Sequence, residues 1–230
     1  REFTANVSHE LKTPLTSISG YAEMLENGMA HPEDIKAFAS TIRREAGRLL
    51  ILIQDIIKLS ELDEGGAGTA LRETVDLYDL AQECVSRLRL LADQYGVTLT
   101  LRGECQPVAG SAAMLSELIY NLCDNAIRYN RSGGSVTITV GQGRLEVADT
   151  GIGIAHEHLD RVCERFYRVD KSRSKRTGGT GLGLAIVKHV AELHHARLEL
   201  ESQENIGTTV HVWFPPLCSA VEEPPAGSSE

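Results

Sequence analysis

An apolar repeat with alternating steps of three and four residues runs through the first part of the chain and restricts it to packed α-helices. The repeat extends from Phe3 to Leu25 and again from Ile35 to Ser60, and the turn-forming sequence at 27–32 separates the two segments. One hairpin of two such helices cannot bury both apolar seams. We therefore expect two copies of the chain to close a four-helix bundle as a homodimer, although a coiled-coil stalk without chemistry fits the second segment equally well.

A histidine, His9, lies on the opposite face of the first predicted helix from this repeat. It is two residues, about 200° of helical rotation, from both Val7 and Leu11, so we expect its ring to face solvent. Glu10 is its neighbour, and Thr13 lies one turn later on the same face. An exposed imidazole beside a carboxylate and a hydroxyl is suited to nucleophilic attack on phosphorus. A lone histidine in this position is, however, more often an ordinary surface residue.

The composition limits the class of protein and its partners. With 230 residues the chain is long enough for one large or two small domains, and 42% hydrophobic and 24% charged residues are typical of a globular protein. A net charge of −9 argues against nucleic acid or an anionic membrane surface as the main partner. The 5 cysteines include no C-x-x-C pair, so neither a disulfide framework nor a zinc site is expected.

The pattern changes after a glycine-rich segment, which predicts two domains at 1–65 and 71–217 joined by a linker at 66–70. The second domain mixes helical and strand patterns. Helices are predicted at 78–94, 111–129 and 181–194, and strands at 72–77, 97–101, 136–140, 145–148, 198–201 and 208–214. Ser111 is expected to cap the helix at 111–129. The remaining residues, 218–230, are rich in Pro, Glu, Gly and Ser, so we expect them to be disordered.

The second domain contains four features that fit a nucleotide pocket, and the first lies on the predicted helix at 111–129. Asn121 and Asn125 are spaced i,i+4, as are Asn125 and Tyr129, so their side chains share one face, with Arg128 nearby. Two buried amides on a helix are costly unless something binds them. A hydrated magnesium ion with its phosphates would do so, because magnesium takes oxygen ligands. By themselves, asparagines on a helix are more often surface residues.

The other three features are glycine-rich or basic. Asp149 follows a predicted strand and can accept the amine of a base, while Gly151 and Gly153 let the backbone approach closely. The glycine loop at 178–183 leads into a helix, whose terminus attracts phosphate together with the loop amides. A basic run at 165–176 between them is interpreted as a mobile lid. Each pattern alone also occurs in ordinary turns and loops, so their combination carries the prediction.

The string SHELKTPL at 8–15 resembles the phosphoacceptor box of the sensor histidine kinases of two-component systems. The resemblance implies that His9 takes the γ-phosphoryl group of ATP and passes it to an aspartate in the receiver domain of a response regulator. It implies that Glu10 accepts or orients a proton and that Thr13 positions the water that dephosphorylates the regulator. It also implies the cytoplasmic portion of a bacterial sensor protein, anchored in the membrane only through an N-terminal sensor region outside this sequence.

The order and spacing of the four features are similar to the N, G1, F and G2 boxes of the kinase ATP-binding domain, a Bergerat-type fold shared with gyrase, Hsp90 and MutL. The implied fold class is α+β, with a helical hairpin followed by an α/β sandwich, and the implied cofactors are ATP and Mg²⁺. The resemblance assigns magnesium and phosphate to Asn121 and Asn125, phosphate to Arg128, and adenine to Asp149. The other nucleotide contacts that it implies are Tyr129, Gly151, Gly153, Phe166, Gly179, Gly181, Leu182, Gly183 and Thr208.

One position separates a kinase from an ATPase of the same fold. In the hydrolysing relatives a glutamate that activates water lies four residues before the magnesium-binding asparagine, and Asn121 stands there in this chain. Because an amide cannot act as a general base, we expect the pocket to hold ATP for His9. An ATP-binding scaffold and a Bergerat ATPase are the alternatives. The chain departs from the family pattern at Cys163, in place of the first phenylalanine of the F box, and at Ala155, in place of a proline.

Some remaining signals have structural explanations. The histidine pairs at 156/158 and 194/195 lack the i,i+4 spacing of a helical zinc site, so we expect both on the solvated surface. Cys123 on the helix at 111–129 is expected to fill the core.

Overall fold

The computed structural model describes residues 2–63, 73–169 and 179–217, with the side chains of 2–5 excepted. The predicted linker at 66–70, the lid residues 170–178 and the predicted tail at 218–230 lie outside these ranges. The helices are α1 (Glu2–Glu26), α2 (Ile35–Asp63), α3 (Leu77–Tyr95), α4 (Ala112–Arg128), α5 (His156–Leu159) and α6 (Gly183–Leu193). The strands are β1 (Glu73–Asp76), β2 (Thr98–Gly103), β3 (Pro107–Gly110), β4 (Ser135–Gly141), β5 (Arg144–Asp149), β6 (Arg197–Gln203) and β7 (Gly207–Trp213).

Helices α1 and α2 form the helical hairpin expected from the apolar repeat. Gly28 follows α1 in the left-handed conformation, with φ of 65°, which glycine adopts without steric cost. The Met29 amide donates to the Met24 carbonyl across 3.0 Å and closes the end of the helix. Near the turn, the rings of Tyr21 and Phe38 meet with their centroids 4.9 Å apart. The local turn sequence therefore returns the chain along the first helix.

The buried stripe of α2 differs from the apolar repeat predicted for this helix. Leu52, Leu59 and Leu62 are buried and belong to the same hydrophobic cluster as the core of the second domain. Of the predicted seam, Ile35 and Ile53 are 49% and 39% exposed. The C-terminal half of α2 contacts α6, so it packs against the second domain as well as against α1. The predicted seam is left as a partly exposed apolar face of the hairpin.

The second domain is a two-layer sandwich of one sheet and the helices α3, α4 and α6. Its five-stranded sheet has the order β2-β4-β5-β7-β6, with β2 and β4 parallel and the other pairs antiparallel. Val136, Ile138 and Val140 on β4 are buried, whereas the residues between them are half-buried. This alternation shows that one face of the sheet carries the core. The fold class predicted from the sequence is confirmed.

Local signals placed most elements of this domain correctly. Ser111 caps α4 by accepting from the Met114 amide, as the sequence indicated, and the turn at 141–143 joins β4 to β5 in an antiparallel hairpin. The strand predicted at 72–77 ends one residue too late, because Asp76 caps α3 by accepting from the Tyr78 amide. The sequence did not reveal β3, which pairs with β1 from Glu73 opposite Gly110. A four-residue strand that begins with proline carries little periodic signal.

The prediction that His194 lies on the solvated surface is wrong. Its side chain is 2% exposed, and its ring joins the end of α6 to the start of α4. Nε2 accepts from the Ser111 amide at 3.1 Å, and Nδ1 donates to the Val190 carbonyl at 2.8 Å. These partners require the neutral imidazole, and burial lowers the pKa of His194. The sequence missed this role because the two bonds depend on packing between elements more than 80 residues apart.

Candidate active site

The two asparagines predicted to bind metal lie on α4 and face the start of α6. Asn121 donates through Nδ2 to the Glu117 carbonyl at 2.9 Å and to Glu117 Oε1 at 3.1 Å, so its own oxygen points away from Glu117. A Cβ placed on Gly183 would lie 2.9 Å from that Oδ1 atom and 3.6 Å from Asn125 Nδ2. A side chain at this position would require the Asn121 amide to shift. The structure thus brings Asn121, Asn125 and Gly183 together.

Helix α6 begins beside these amides, and its N-terminus carries no side-chain cap. Unsatisfied first-turn amides and the helix dipole favour an anion at such an end. The preceding residue, Leu182, is fully buried, so its side chain contributes to the core and not to a pocket. Its amide donates to Thr180 Oγ1 at 3.3 Å, which fixes the shape of the glycine loop.

Tyr129, just after α4, lies against both glycine segments. Its hydroxyl is 3.1 Å from the position of a Cβ on Gly179, and its carbonyl is 2.5 Å from the position of a Cβ on Gly151. The same carbonyl accepts from the Ile152 amide at 3.1 Å. Side chains at Gly151 would collide with the backbone here. The end of α4, the loop after β5 and the glycine loop before α6 therefore meet around Tyr129.

Asp149 ends β5 and is a half-buried acid. Its Oδ1 atom accepts from the amides of Gly151 at 2.7 Å and Thr208 at 3.2 Å. Both bonds reach the same oxygen, which leaves Oδ2 available for a ligand amine. Burial raises the pKa of Asp149, and the two backbone bonds oppose that rise. The Thr208 hydroxyl contacts Ser202 Oγ at 2.8 Å, so this residue meets Asp149 through its backbone.

The remaining predicted nucleotide residues have other neighbours in this structure. Arg128 donates through Nε to Asp124 Oδ2 at 2.6 Å, so its role toward phosphate stays a prediction. Burial lowers the pKa of this guanidinium, but the ion pair with Asp124 outweighs burial and the net shift is upward. A Cβ on Gly153 would lie 2.0 Å from the carbonyl of Gln203, so this glycine allows close packing against the end of β6.

Phe166 joins the F segment to the glycine loop. Its amide donates to the Gly181 carbonyl at 2.8 Å, and a Cβ on Gly181 would lie 3.1 Å from the Phe166 backbone. Phe166 has a φ of 65°, a left-handed conformation that is strained for a bulky residue. The strained backbone is held by contact with the loop that precedes α6.

His9 is exposed on α1, as predicted, and it lines a cleft of about 330 Å³ between the hairpin and the second domain. Phe166 and Arg168 line the same cleft from the other side. The Thr13 hydroxyl donates to the His9 carbonyl at 3.2 Å, one helical turn back. Asp149 lines neither this cleft nor the neighbouring one of about 450 Å³ that contains Cys163.

Glu10, the acid beside His9, is paired across this cleft. Its Oε2 atom lies 3.1 Å from Arg168 and 3.8 Å from Arg48. The Arg168 side chain is 7% exposed, and it also donates to the Thr180 carbonyl at 2.6 Å. Burial lowers the pKa of the Arg168 guanidinium, and the nearby Glu10 carboxylate opposes that shift. The sequence placed Arg168 in the lid at 165–176, and the structure places its side chain in the contact between the domains.

Comparison with known proteins identifies the family of both parts of the chain. A family model described as the His Kinase A (phospho-acceptor) domain matches residues 1–65. A second model, described as Histidine kinase-, DNA gyrase B-, and HSP90-like ATPase, matches residues 110–217. The chain belongs to the sensor histidine kinases of two-component systems.

Relatives and solved structures extend the likeness over nearly the whole chain. The sensor-like histidine kinase SenX3 of Mycolicibacterium smegmatis is 42% identical over 220 residues, which is 94% of this histidine kinase chain. The chain spans 57% of the length of that relative. The histidine kinase ThkA, solved in complex with the response regulator protein TrrA, shares the fold with a TM-score of 0.71, 22% identity, and coverage of 93% of this chain and 61% of that one. Full-length ShkA in complex with AMPPNP has a TM-score of 0.65 and 25% identity, covering 93% of this chain and 45% of that one.

Three residues on α2 contact the second domain of this histidine kinase and were missed by the sequence reasoning. Asp63 accepts from both terminal nitrogens of Arg165, at 2.7 and 3.0 Å. Asp55 accepts from the Thr180 hydroxyl at 2.7 Å. Lys58 lies 2.7 Å from Glu117 Oε1 on α4. Their partners are 59 to 125 residues away in the sequence, so no local pattern could have identified them.

The part of the kinase that the structure describes contains no helix that combines the length and the apolar character needed to span a bilayer. It also contains no cluster of three or more His, Cys, Asp or Glu side chains with the spacing to hold a metal ion.

Proposed function

We propose that this histidine kinase transfers the γ-phosphoryl group of ATP to His9 and then to an aspartate in the receiver domain of a response regulator. The observation that carries this proposal is that the exposed His9 and the residues Phe166 and Arg168 line one cleft. The Phe166 amide donates a hydrogen bond to the Gly181 carbonyl, so the phosphoacceptor His9 and the glycine loop lie on neighbouring elements.

The nucleotide is assigned to the surface between α4, the end of β5 and the start of α6. Asp149 Oδ2 would accept the exocyclic amine of adenine, because Oδ1 is already occupied by two backbone amides. The uncapped N-terminus of α6 would receive the phosphates beside Asn121 and Asn125. The ATP-binding role follows from the matched ATPase family, and these residue assignments are the proposal.

Magnesium fits the donors that the structure presents. The Asn121 oxygen is directed away from Glu117 toward Gly183, and an amide oxygen is a hard ligand of the kind that magnesium prefers. Asn121 and Asn125 would hold the ion together with the phosphates. When bound, magnesium neutralises charge that develops on the phosphates during transfer.

The transfer itself uses the imidazole of His9 as nucleophile. A neutral ring nitrogen forms a bond to the γ-phosphorus, the bond from phosphorus to the bridging oxygen breaks, and ADP leaves with that electron pair. Glu10 is the adjacent group that can accept the imidazole proton. Arg168 and Arg48 both contact Oε2 of its carboxylate in this structure, which leaves Oε1 to accept the proton.

We assign regulator dephosphorylation to the Thr13 hydroxyl. Its hydrogen is directed to the His9 carbonyl, so its oxygen lone pairs remain to accept from a water. The position beside His9 would place that water at the surface where the receiver domain approaches the phosphoacceptor.

The proposed partners are a receiver domain and a second copy of the chain. Leu50, Ile53 and Ile57 leave exposed apolar surface on α2, which a four-helix bundle would cover. The solved complex of ThkA with TrrA supports the receiver domain as a partner of this fold.

The decisive experiment is incubation with ATP labelled at the γ-phosphate. We expect label that is lost in acid and kept in alkali, as for phosphohistidine, and no label on the His9→Ala variant, which should still bind nucleotide. Label on that variant would remove His9 from its role. Steady phosphate release without labelled protein would instead indicate an ATPase.

A further inference from the structure

Two residues one helical turn apart on α2 contact both sides of the proposed phosphate end of the nucleotide site. Asp55 accepts from Thr180 Oγ1 at 2.7 Å, within the glycine loop. Lys58 donates to Glu117 Oε1 at 2.7 Å, on α4. Residues at i and i+3 share one face of a helix. This face of the hairpin therefore contacts both the glycine loop and α4, between which the Asn121 amide lies.

Glu117 connects Lys58 to that amide. The Glu117 Oε1 atom that accepts from Lys58 also accepts from Asn121 Nδ2, at 3.1 Å, and the Glu117 carbonyl accepts from the same nitrogen at 2.9 Å. An amide nitrogen has two hydrogens, so these two bonds account for both. The Asn121 oxygen is consequently turned toward Gly183 and the start of α6.

The orientation of this amide decides what it can bind. An amide oxygen is a ligand for a cation, whereas the opposite flip would present hydrogen-bond donors to the ion and repel it. A carboxylate without a nearby cation would also add negative charge close to the bound phosphates. Lys58 offsets that charge and restrains the Glu117 side chain at the same time.

We propose that Lys58 of the hairpin is a positioning residue for the metal–phosphate site, acting through Glu117 on the amide of Asn121. This inference rests on the proposed function, because it assumes that Asn121 takes part in binding magnesium and nucleotide. The side chains of Lys58 and Glu117 are 42% and 27% exposed, so solvent weakens their interaction. We expect the loss of Lys58 to weaken magnesium-dependent nucleotide binding about threefold.

The test compares nucleotide affinity with and without the metal. AMPPNP is titrated into the unmodified chain and the Lys58→Met variant, once with magnesium and once with EDTA. For each protein, the affinity with magnesium is divided by the affinity with EDTA to give a ratio. We expect Lys58→Met to lower this ratio about threefold and Lys58→Arg to restore it. Glu117→Leu removes the charge and the Oε1 acceptor but keeps the backbone carbonyl that accepts from Asn121, and it should lower the ratio about tenfold. Lys36→Met, at the far end of α2, is the matched control for charge loss.

The outcomes separate this inference from the proposed function. If the unmodified chain binds AMPPNP and Lys58→Met leaves the ratio unchanged, or weakens binding equally with magnesium and with EDTA, Lys58 does not position the metal site. If the unmodified chain binds no AMPPNP at all, the proposed function fails and the inference fails with it. A lowered ratio that Lys58→Arg does not restore also overturns the inference.

Discussion

The hydroxyl of Thr180 donates to the carboxylate of Asp55 at 2.7 Å, across 125 residues of sequence. Thr180 belongs to the glycine loop before α6, and Asp55 belongs to the helix that continues toward the second domain. Two further contacts act in the same way: the ion pair of Lys58 with Glu117, and the two hydrogen bonds from Arg165 to Asp63. Together the three contacts hold one side of the hairpin against the nucleotide-binding elements. Any movement that brings ATP to His9 must loosen or preserve these three contacts.

The charge on Asp55 is predicted to oppose this docked arrangement at neutral pH. Burial raises the pKa of Asp55 above its usual value of 3.8, although the hydrogen bond from Thr180 and the charge of Lys58 oppose the rise. A raised pKa means that the docked state favours the protonated acid, so its contribution to stability is lost as pH rises through that pKa. Asp55→Asn keeps an acceptor for Thr180 without the charge. We expect it to raise the melting temperature at pH 7 by a few degrees, on the order of 1 kcal/mol.

A pH series provides the control for Asp55→Asn. The gain in melting temperature should shrink as the pH is lowered through the raised pKa of Asp55, where the native acid becomes protonated. Thr180→Val, which leaves the carboxylate without its hydroxyl partner, should be destabilising at pH 7. A gain for Asp55→Asn that is the same at every pH would contradict this account.

Asp149→Asn should raise the stability of the nucleotide-free protein and weaken the binding of ATP. Burial raises the pKa of Asp149, so a charged carboxylate there costs the nucleotide-free protein stability at neutral pH. We expect the variant to melt at a higher temperature than the native chain. We expect it to bind ATP about 10- to 100-fold more weakly. The asparagine oxygen would stay with the two backbone amides, and its NH2 group, a donor, would face the amine of adenine. Isothermal titration and thermal unfolding of the same two samples measure both effects.

In the native chain, Asp149 should make the affinity for ATP depend on pH. Adenine recognition needs the carboxylate form of Asp149, so ATP affinity should fall as pH is lowered through its raised pKa, earlier than for a carboxyl of ordinary pKa. The fall should be absent in Asp149→Asn. Equal pH profiles for the two proteins would exclude Asp149 as the group that titrates.

The features that were predictable from the sequence depend on neighbours within a few residues. Asn121 and Asn125 share a helical face by spacing alone, and Ser111 was recognised as a cap because capping acts over three residues. His9 was placed on the exposed face by the same rotation argument. In each case the backbone geometry of one element decides the answer.

The features that were not predictable depend on how the two domains pack. Asp55, Lys58 and Asp63 gave no local signal, because their partners lie on elements that approach α2 only in the folded chain. The same reason explains the error in the apolar seam of α2. Leu52 and Leu59 lie outside the strict repeat, yet they are buried because a second surface packs on this helix.

Thr13→Ala should slow the dephosphorylation of the regulator and leave the phosphorylation of His9 almost unchanged. The hydroxyl is proposed to hold a water and takes no part in the attack by His9, so labelling from ATP should stay near the native level. Loss of label from a phosphorylated receiver domain should slow by about 10-fold or more, in the range that one catalytic group supplies. Thr16→Ala is a matched control, since Thr16 makes the same hydroxyl bond to the carbonyl four residues before it, at Lys12. Equal dephosphorylation rates in both variants would remove Thr13 from this role.

His194 should make the stability of the second domain sensitive to mild acid. Its neutral ring accepts from Ser111 and donates to Val190, and a proton on Nε2 would break the first bond. Burial lowers the pKa of His194 below its usual 6.5, so the unfolded chain binds the proton more tightly than the folded one. The stability that this ring provides is therefore present above pH 6.5 and is lost as the pH falls below that value. His194→Gln should be about 1–3 kcal/mol less stable than the native chain at pH 7, and it should lose less stability between pH 7 and pH 5. Urea unfolding at the two pH values measures both quantities, and a variant with the native pH dependence would show that another group is responsible.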